Sequence, residues 1–246
     1  MRPPALAALA LCVVLAADAG RAQVPIVADL SDHLIAVTTG FTGAELLLFG
    51  AIEGEGDVAL VVKGPATEVG IAKRERLAGV WVNGEETVFR DVPAFYFVAT
   101  TPGTMTRAPA SLLKRHAIGL AQVRFTPSEP DRPDLADFRA AMVRRMQAEG
   151  LFPRSVEPIS VLGGKLFRAT VRFPSNTPTG IYAVEVYFIR DGAVVSAQTT
   201  PLAVSKVGLG AEAYDFAHRY APAYGAIAVL LAAAVGWLAN LLFRKN

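Results

Sequence analysis

Hydrophobic and polar positions alternate most clearly in the stretch LFRATVRF, where Phe167, Ala169, Val171 and Phe173 interleave with Arg168, Thr170 and Arg172. A period of two with one polar face is the pattern of a half-buried β-strand. Just before it, ISVLGGKLF sets Gly163-Gly164 between two apolar runs, and IYAVEVYFIRDGAVVSAQ sets Asp191-Gly192 between two more. Both dipeptides supply the positive φ of a tight hairpin turn, so four strands are predicted between Glu157 and Ser205.

The N-terminal part is also β in character, with less regular alternation. Strands are predicted near Leu34–Thr38, Glu45–Phe49, Val58–Val62, Glu68–Arg74, Val80–Val82, Thr87–Arg90 and Phe95–Ala99. The turns between them fall at Gly40 to Gly43, at EGEGD (53–57), at Lys63-Gly64-Pro65 and at Asn83-Gly84. Short strands at this spacing point to a sandwich and away from a βαβ sheet.

Between the two β regions the period changes. In PDLADFRAAMVRRMQAEG, Leu135, Phe138, Met142 and Met146 share one helical stripe, Pro133 suits the first turn, and Gly150 stands just past the end. A second, shorter helix is predicted over Ala110 to Leu120, and FTPSEPDRPD is a loop or linker.

The strongest pattern is at the C-terminus. From Ala221 to Phe243 no residue is charged, which is long enough to span a bilayer with some tilt, and Arg244 and Lys245 follow at once. The positive-inside rule then places the tail in the cytoplasm. Tyr220, Tyr224 and Trp237, with Arg244 and Lys245, are the expected interfacial anchors. Helical spacing begins near Ala211, and Pro222 predicts a kink or an interfacial break. Within the run Ala228, Ala232, Gly236 and Asn240 recur every four residues, a small-residue stripe that lets a second helix approach, with Asn240 able to bond across the contact. The alternative is an Ala-rich anchor without a partner.

The N-terminus changes the picture again. Arg2, an apolar stretch from Ala5 to Ala17 and small residues thereafter form the layout of a cleaved signal peptide, too short to be a spanning helix. Cys12, the only cysteine, lies inside it, so the mature chain is expected to have no disulfide, thiolate metal site or cysteine nucleophile. The bulk of the chain is then expected to be extracytoplasmic, held by a single pass.

Charge is nearly balanced: Lys and Arg number 24, Asp and Glu 22, so electrostatic attraction to nucleic acid is not indicated. Residues 23–100 are richer in acids (Glu53, Glu55, Asp57, Glu85, Glu86), and 101–154 in bases (Lys114, Arg115, Arg144, Arg145). Two solvated faces explain this more simply than a binding surface does.

No motif specifies chemistry. There is no nucleophile elbow, zinc-binding helix, phosphate loop or dinucleotide fingerprint, and the glycines of TTGFTGAELLLFG read as turn residues. His33, His116 and His218 lack a second ligand at useful spacing, apart from Asp32 beside His33; EGEGD is by default a hairpin loop. No catalytic residue, metal site or cofactor is expected.

The stretches IAVTTGFTGAELLLFGAIEGEGDVALVVKGP, GVWVNGEETVFRDVPAFYFVA, GKLFRATVRFPSNTPTGIYAVEVYFIRDG and YGAIAVLLAAAVGWLANLLFRKN together resemble a family of alphaproteobacterial transmembrane proteins whose activity is not established. The resemblance implies an inner-membrane location, and neighbouring sulfite-exporter-type permeases as candidate partners; it carries no catalytic residue.

The expected architecture is mainly β: an Ig-like β-sandwich ectodomain, as one or two sandwiches, with a helical insertion and a C-terminal transmembrane helix. Its parts are a signal segment (1–22), an N-terminal β domain (23–104), a helical connection (105–156), a C-terminal β region (157–206), a juxtamembrane and transmembrane helix (211–243) and a cytoplasmic tail (244–246). The expected role is that of a membrane-anchored periplasmic interaction or accessory protein, not an enzyme. The alternative is a tethered solute- or metal-ion-binding protein with Asp32, His33 and the 53–57 acids as first candidates; a third reading, an extracytoplasmic enzyme such as a hydrolase, rests only on the size of the ectodomain.

Overall fold

The computed structural model describes residues 26–77, 79–207 and 217–243; the side chains of Glu75, Leu77, Trp81, Ala223 and 239–243 are outside that description. The signal segment at 1–22, Arg244 and Lys245, and the helix start near Ala211 therefore lie outside the described residues. Asn240 is described only through its backbone.

The chain is mainly β. Its strands run β1 (Ile26–Leu30), β2 (Leu34–Val37), β3 (Gly43–Ile52), β4 (Asp57–Lys63), β5 (Ala66–Leu77), β6 (Val80–Pro93), β7 (Tyr96–Thr100), β8 (Thr126–Pro127), β9 (Glu157–Pro158), β10 (Ser160–Leu162), β11 (Leu166–Pro174), β12 (Gly180–Arg190) and β13 (Ala193–Lys206). The helices are α1 (Thr104–Arg107), α2 (Ala110–Arg115), α3 (Leu135–Ala148) and α4 (Ala221–Phe243).

A four-stranded sheet of order β1-β3-β11-β10 packs on a six-stranded sheet of order β2-β13-β12-β4-β7-β9, and β5-β6-β8 form a third. In the first sheet the alternation works as the sequence predicts. Phe167, Ala169, Val171 and Phe173 point inward with Leu46, Leu48 and Ile52, while Arg168, Thr170 and Arg172 face out. The two sheets meet through aromatic contacts: Phe95 stacks on Phe173 at 4.8 Å, and Tyr182 meets Phe173 edge-on at 5.8 Å.

The central strands of the second sheet do not alternate. Val58–Val62 and Tyr96–Thr100 are buried at every position, because the helical segment covers the sheet's other side. There the Tyr96 hydroxyl donates to the Ala117 carbonyl at 2.6 Å, and His116 lies against Tyr187 at 4.6 Å. Strands covered on both faces read as continuous apolar runs.

This arrangement settles the domain question at the level of pairing. Strand β3 pairs with β11 over nine positions, and β4 pairs with β12 over seven. The segments 26–104 and 157–206 therefore interleave within the same two sheets and build one sandwich between them.

Several expectations need correction. Asn83-Gly84 is not a turn: it lies within β6, opposite an irregularity in β5 between Ala72 and Arg74, and the reversal falls between Leu77 and Val80, where Gly79 takes φ 88°. The helix expected over Ala110 to Leu120 stops at Arg115, because Ala117 (φ 51°) and Gly119 (φ 100°) turn the chain back. Strand β1 was not foreseen at all; it pairs with β3, after which the chain crosses to the other sheet as β2, parallel to β13. Both hairpins form, with positive φ at Gly163, Gly164, Asp191 and Gly192; Asp191-Gly192 is the two-residue turn expected, whereas the first loop is one residue longer and takes in Lys165, since Leu162 pairs with Leu166. Phe138, Met142 and Met146 of α3 are buried, as their stripe requires. A turn at Tyr220 precedes α4, and Pro222 sits in its first turn, where the missing N–H costs nothing.

Candidate functional site

The residues singled out from sequence are spread widely. On α4, Ala228, Ala232 and Gly236 are exposed at a spacing of four, which places them on one face. A Cβ built on Gly236 would meet nothing within 4 Å, so none of the described residues covers that point. Tyr220, Tyr224 and Trp237 are exposed as well. Among the described residues no helix is long and apolar enough to cross a membrane. The backbone of α4 nonetheless continues for 23 residues, and the side chains at 239–243 lie outside that count.

The acidic loop is not a cation cage. Arg190 donates from Nε to the Glu55 carbonyl (3.0 Å) and from NH2 to the Glu53 carbonyl (2.6 Å), filling the space inside the turn. The Asp57 carboxylate takes hydrogen bonds from Thr101 Oγ1 (2.8 Å) and Arg107 Nε (3.2 Å). Burial pushes its carboxyl up, but the bonds from Arg107 and Thr101 outweigh that and hold it below the ordinary value. His33 Nε2 faces Asp29 at 3.2 Å, with both side chains more than half exposed. Among the described residues no group of three or more His, Cys, Asp or Glu side chains converges as metal ligands would. Asp32, His33 and the 53–57 acids therefore do not converge as a set of ligands among the described residues, and Asp57 is engaged by Arg107 and Thr101.

The most developed polar network is a clamp. Arg132, only 10% exposed, reaches Asp134 (2.7 Å), Glu129 (3.4 Å), the Thr87 hydroxyl (3.0 Å) and Glu85. Its guanidinium carbon lies 4.3 Å from the centre of the Phe138 ring. Asp134 is held also by Lys73, and these two cations bring its pKa down to about 2. The network ties the Pro-rich loop and the start of α3 to the β5–β6 hairpin. Every group in it has a partner, so it fixes structure and leaves nothing to receive a ligand.

One surface does collect groups without partners. An open groove of about 640 Å³ is lined by Ser111, Lys114, Arg115, Ala117, Gln122 and Arg124. Lys114, Arg115 and Arg124 make no ion pair or hydrogen bond among the described residues, although Arg115 lies near enough to His116 to disfavour its protonation. Burial first, then that guanidinium, lowers the His116 pKa. The groove's wall turns at Ala117, whose left-handed conformation is fixed by the Tyr96 hydroxyl, which also accepts from Gly119 N–H at 3.0 Å. Such a groove can receive an anionic group; it contains no nucleophile and base in contact. Sequence reasoning had the excess of bases in 101–154 but not Arg124, since only the fold brings residue 124 beside 114 and 115.

The fold and its surfaces thus define a mainly β protein, a sandwich followed by a charge-free helix, with no assembled catalytic cluster among the described residues. The chain belongs to the family described as "Putative transmembrane protein (Alph_Pro_TM)", whose model matches residues 25–245, and this membership supports a membrane protein. Neither a curated protein nor a solved structure matches it.

Proposed function

We propose that this chain is a single-pass inner-membrane protein whose periplasmic Ig-like sandwich acts as an interaction or accessory module. Two features support the Ig-like assignment. The first β segment splits between the sheets, β1 pairing antiparallel with β3 and β2 parallel with β13. Tyr182, near the start of β12, donates its hydroxyl to the Pro178 carbonyl at 2.6 Å, the geometry of a tyrosine corner. Anchoring is supported by α4: its 23 residues extend about 34 Å at 1.5 Å per residue, against roughly 30 Å of bilayer hydrocarbon. The observation that carries the reading is this joining of an Ig-like sandwich to a charge-free helix with an uncovered small-residue face.

The partner nominated by the family resemblance is a permease of the sulfite-exporter type. Purification of the full chain from its native membrane in mild detergent should bring an inner-membrane protein along in stoichiometric amount, identified by mass spectrometry. Gly236→Leu should lower that co-purification about tenfold while leaving membrane insertion intact, since the added side chain holds a facing helix away. Wild-type recovery of the partner by the variant would rule out the helix contact, and recovery of the chain alone would overturn the accessory role.

A second reading, a tethered solute-binding protein, is favoured by one observation: the groove with Lys114, Arg115 and Arg124. It shifts the expected ligand from a metal ion to an anion. Calorimetry of the detergent-solubilised chain against phosphate, sulfate, sulfite and dicarboxylates tests it, and absence of heat with all of them ends it.

A further inference from the structure

The outer face of the β1-β3-β11-β10 sheet is exposed, and its side chains are ordered in rows across the strands. Val27, Ala51, Leu166 and Leu162 lie opposite one another in register on the four strands. Val27, Leu166 and Leu162 are 61%, 58% and 51% exposed, so the row is a contiguous apolar strip across the sheet. The next row holds Asp29, Phe49, Arg168 and Ser160, and the one after it Leu47 beside Thr170. Phe49 and Leu47 are likewise uncovered.

Charge is arranged asymmetrically about the central strand. In the Phe49 row Asp29 lies on one side of β3 and Arg168 on the other. Asp29 Oδ1 accepts from Leu30 N–H at 2.8 Å and faces His33, which leaves Oδ2 unengaged; Arg168 has no ion pair or hydrogen bond among the described residues. A two-fold axis laid along β3, between two such faces, brings Phe49 over Phe49 and Ala51 over Ala51. The same rotation exchanges left and right, so Asp29 of each copy meets Arg168 of the other, and Val27 meets Leu166. These two rows are complementary to themselves under the symmetry of an isologous dimer; Glu45, farther along β3 on the same face, is neutralised within its own copy by Arg172 at 2.9 Å.

We infer that this face is the contact between two copies of the chain, packed sheet against sheet about 10 Å apart as aligned sheets are. The four strands hold 27 residues, and at about 4.8 Å by 3.4 Å each they give a face of roughly 440 Å² per copy. That is about half of the roughly 800 Å² per partner of a standard stable interface, the size of a weak contact made between chains already confined to one membrane. This goes beyond the proposed accessory role, since here the partner is the chain itself. It survives if no permease is found.

The test uses the full chain in native membranes. With Cys12→Ser as background the chain has no cysteine, so Phe49→Cys places a single thiol on the axis. A short bismaleimide cross-linker, which can span sheets about 10 Å apart where a direct disulfide needs Cα atoms within about 7 Å, should convert that variant to a covalent dimer, whereas Ile181→Cys, exposed on the other sheet, should stay monomeric. In detergent, Asp29→Arg should raise the dimer dissociation constant at least tenfold by setting like charges opposite each other. The double exchange Asp29→Arg with Arg168→Asp should restore it to within about twofold, which a merely structural defect at Asp29 would not allow. Cross-linking at Phe49 to a different protein, equal cross-linking at Ile181, or a double exchange as weak as the single one would each overturn the inference.

Discussion

At the scale of single residues, the side chains that matter most are those joining a ring to a backbone acceptor. Tyr182 is fully buried, lies tilted against Phe95 and edge-on to Phe173, and donates its hydroxyl to the Pro178 carbonyl. Tyr182→Phe keeps the ring and strands the acceptor, so it should cost about 1 kcal/mol, read as a lower urea midpoint at unchanged slope. Asp134 gives a pH-dependent counterpart. Its pKa is about 2 in the folded chain against 3.8 ordinarily, chiefly through Lys73 and then Arg132. A depressed carboxyl contributes stability that is complete above its unfolded value and is lost as pH falls through its folded one. Melting temperature should therefore drop more steeply between about pH 4 and 2 in the wild type than in Asp134→Asn, which lacks the titrating group. Equal slopes would show that the ion pairs are too well screened by water to contribute. Neither Tyr182 nor Asp134 stands out in the linear sequence, since Pro178, Lys73 and Arg132 become their partners only in space.

Elements show where local pattern suffices and where it fails. Asp191-Gly192 was legible because a two-residue hairpin has a local conformational requirement, positive φ at both positions, that few residues meet; Gly163-Gly164 also takes positive φ, but in a three-residue loop that includes Lys165. Asn83-Gly84 satisfies the same local preference, yet the long β5–β6 ribbon carries the pair inside a strand and reverses at Gly79 instead. Register across a long ribbon is a sum of many pairings, and it outweighs one turn propensity. The α3 stripe was equally legible: Phe138 and Met142 are buried to within 1% of full cover. The Pro-rich loop before it looked like a linker, because nothing in FTPSEPDRPD announces that Arg132 will lie against Phe138.

For the whole molecule, the deciding fact is that both halves contribute to each sheet of the sandwich. Since β3 needs β11 and β4 needs β12, residues 26–104 expressed alone lack the strands that cover their apolar faces. That fragment should give no cooperative thermal transition by circular dichroism, whereas residues 26–207 should melt in a single step. A cooperative melt of the shorter fragment would mean that the N-terminal strands can close a core by themselves. The same interleaving creates the two surfaces proposed for binding. Arg124 reaches Lys114 and Arg115 only when the helical segment folds onto the central strands, and Val27, Ala51, Leu166 and Leu162 align only across four strands.

The sequence by itself determined the β class, the hairpins, the α3 stripe and the charge-free C-terminal run. Each depends on side-chain periodicity or on the backbone freedom of one or two residues, and such information is local. Tertiary structure alone decided that there is one sandwich, that the first strand divides between its sheets, and that the acids at 53–57 enclose an arginine. Those outcomes rest on pairings between residues more than a hundred positions apart, such as Arg190 with Glu53 and Glu55. No local pattern encodes such pairings, because the energy that selects them comes from burying two distant faces against each other.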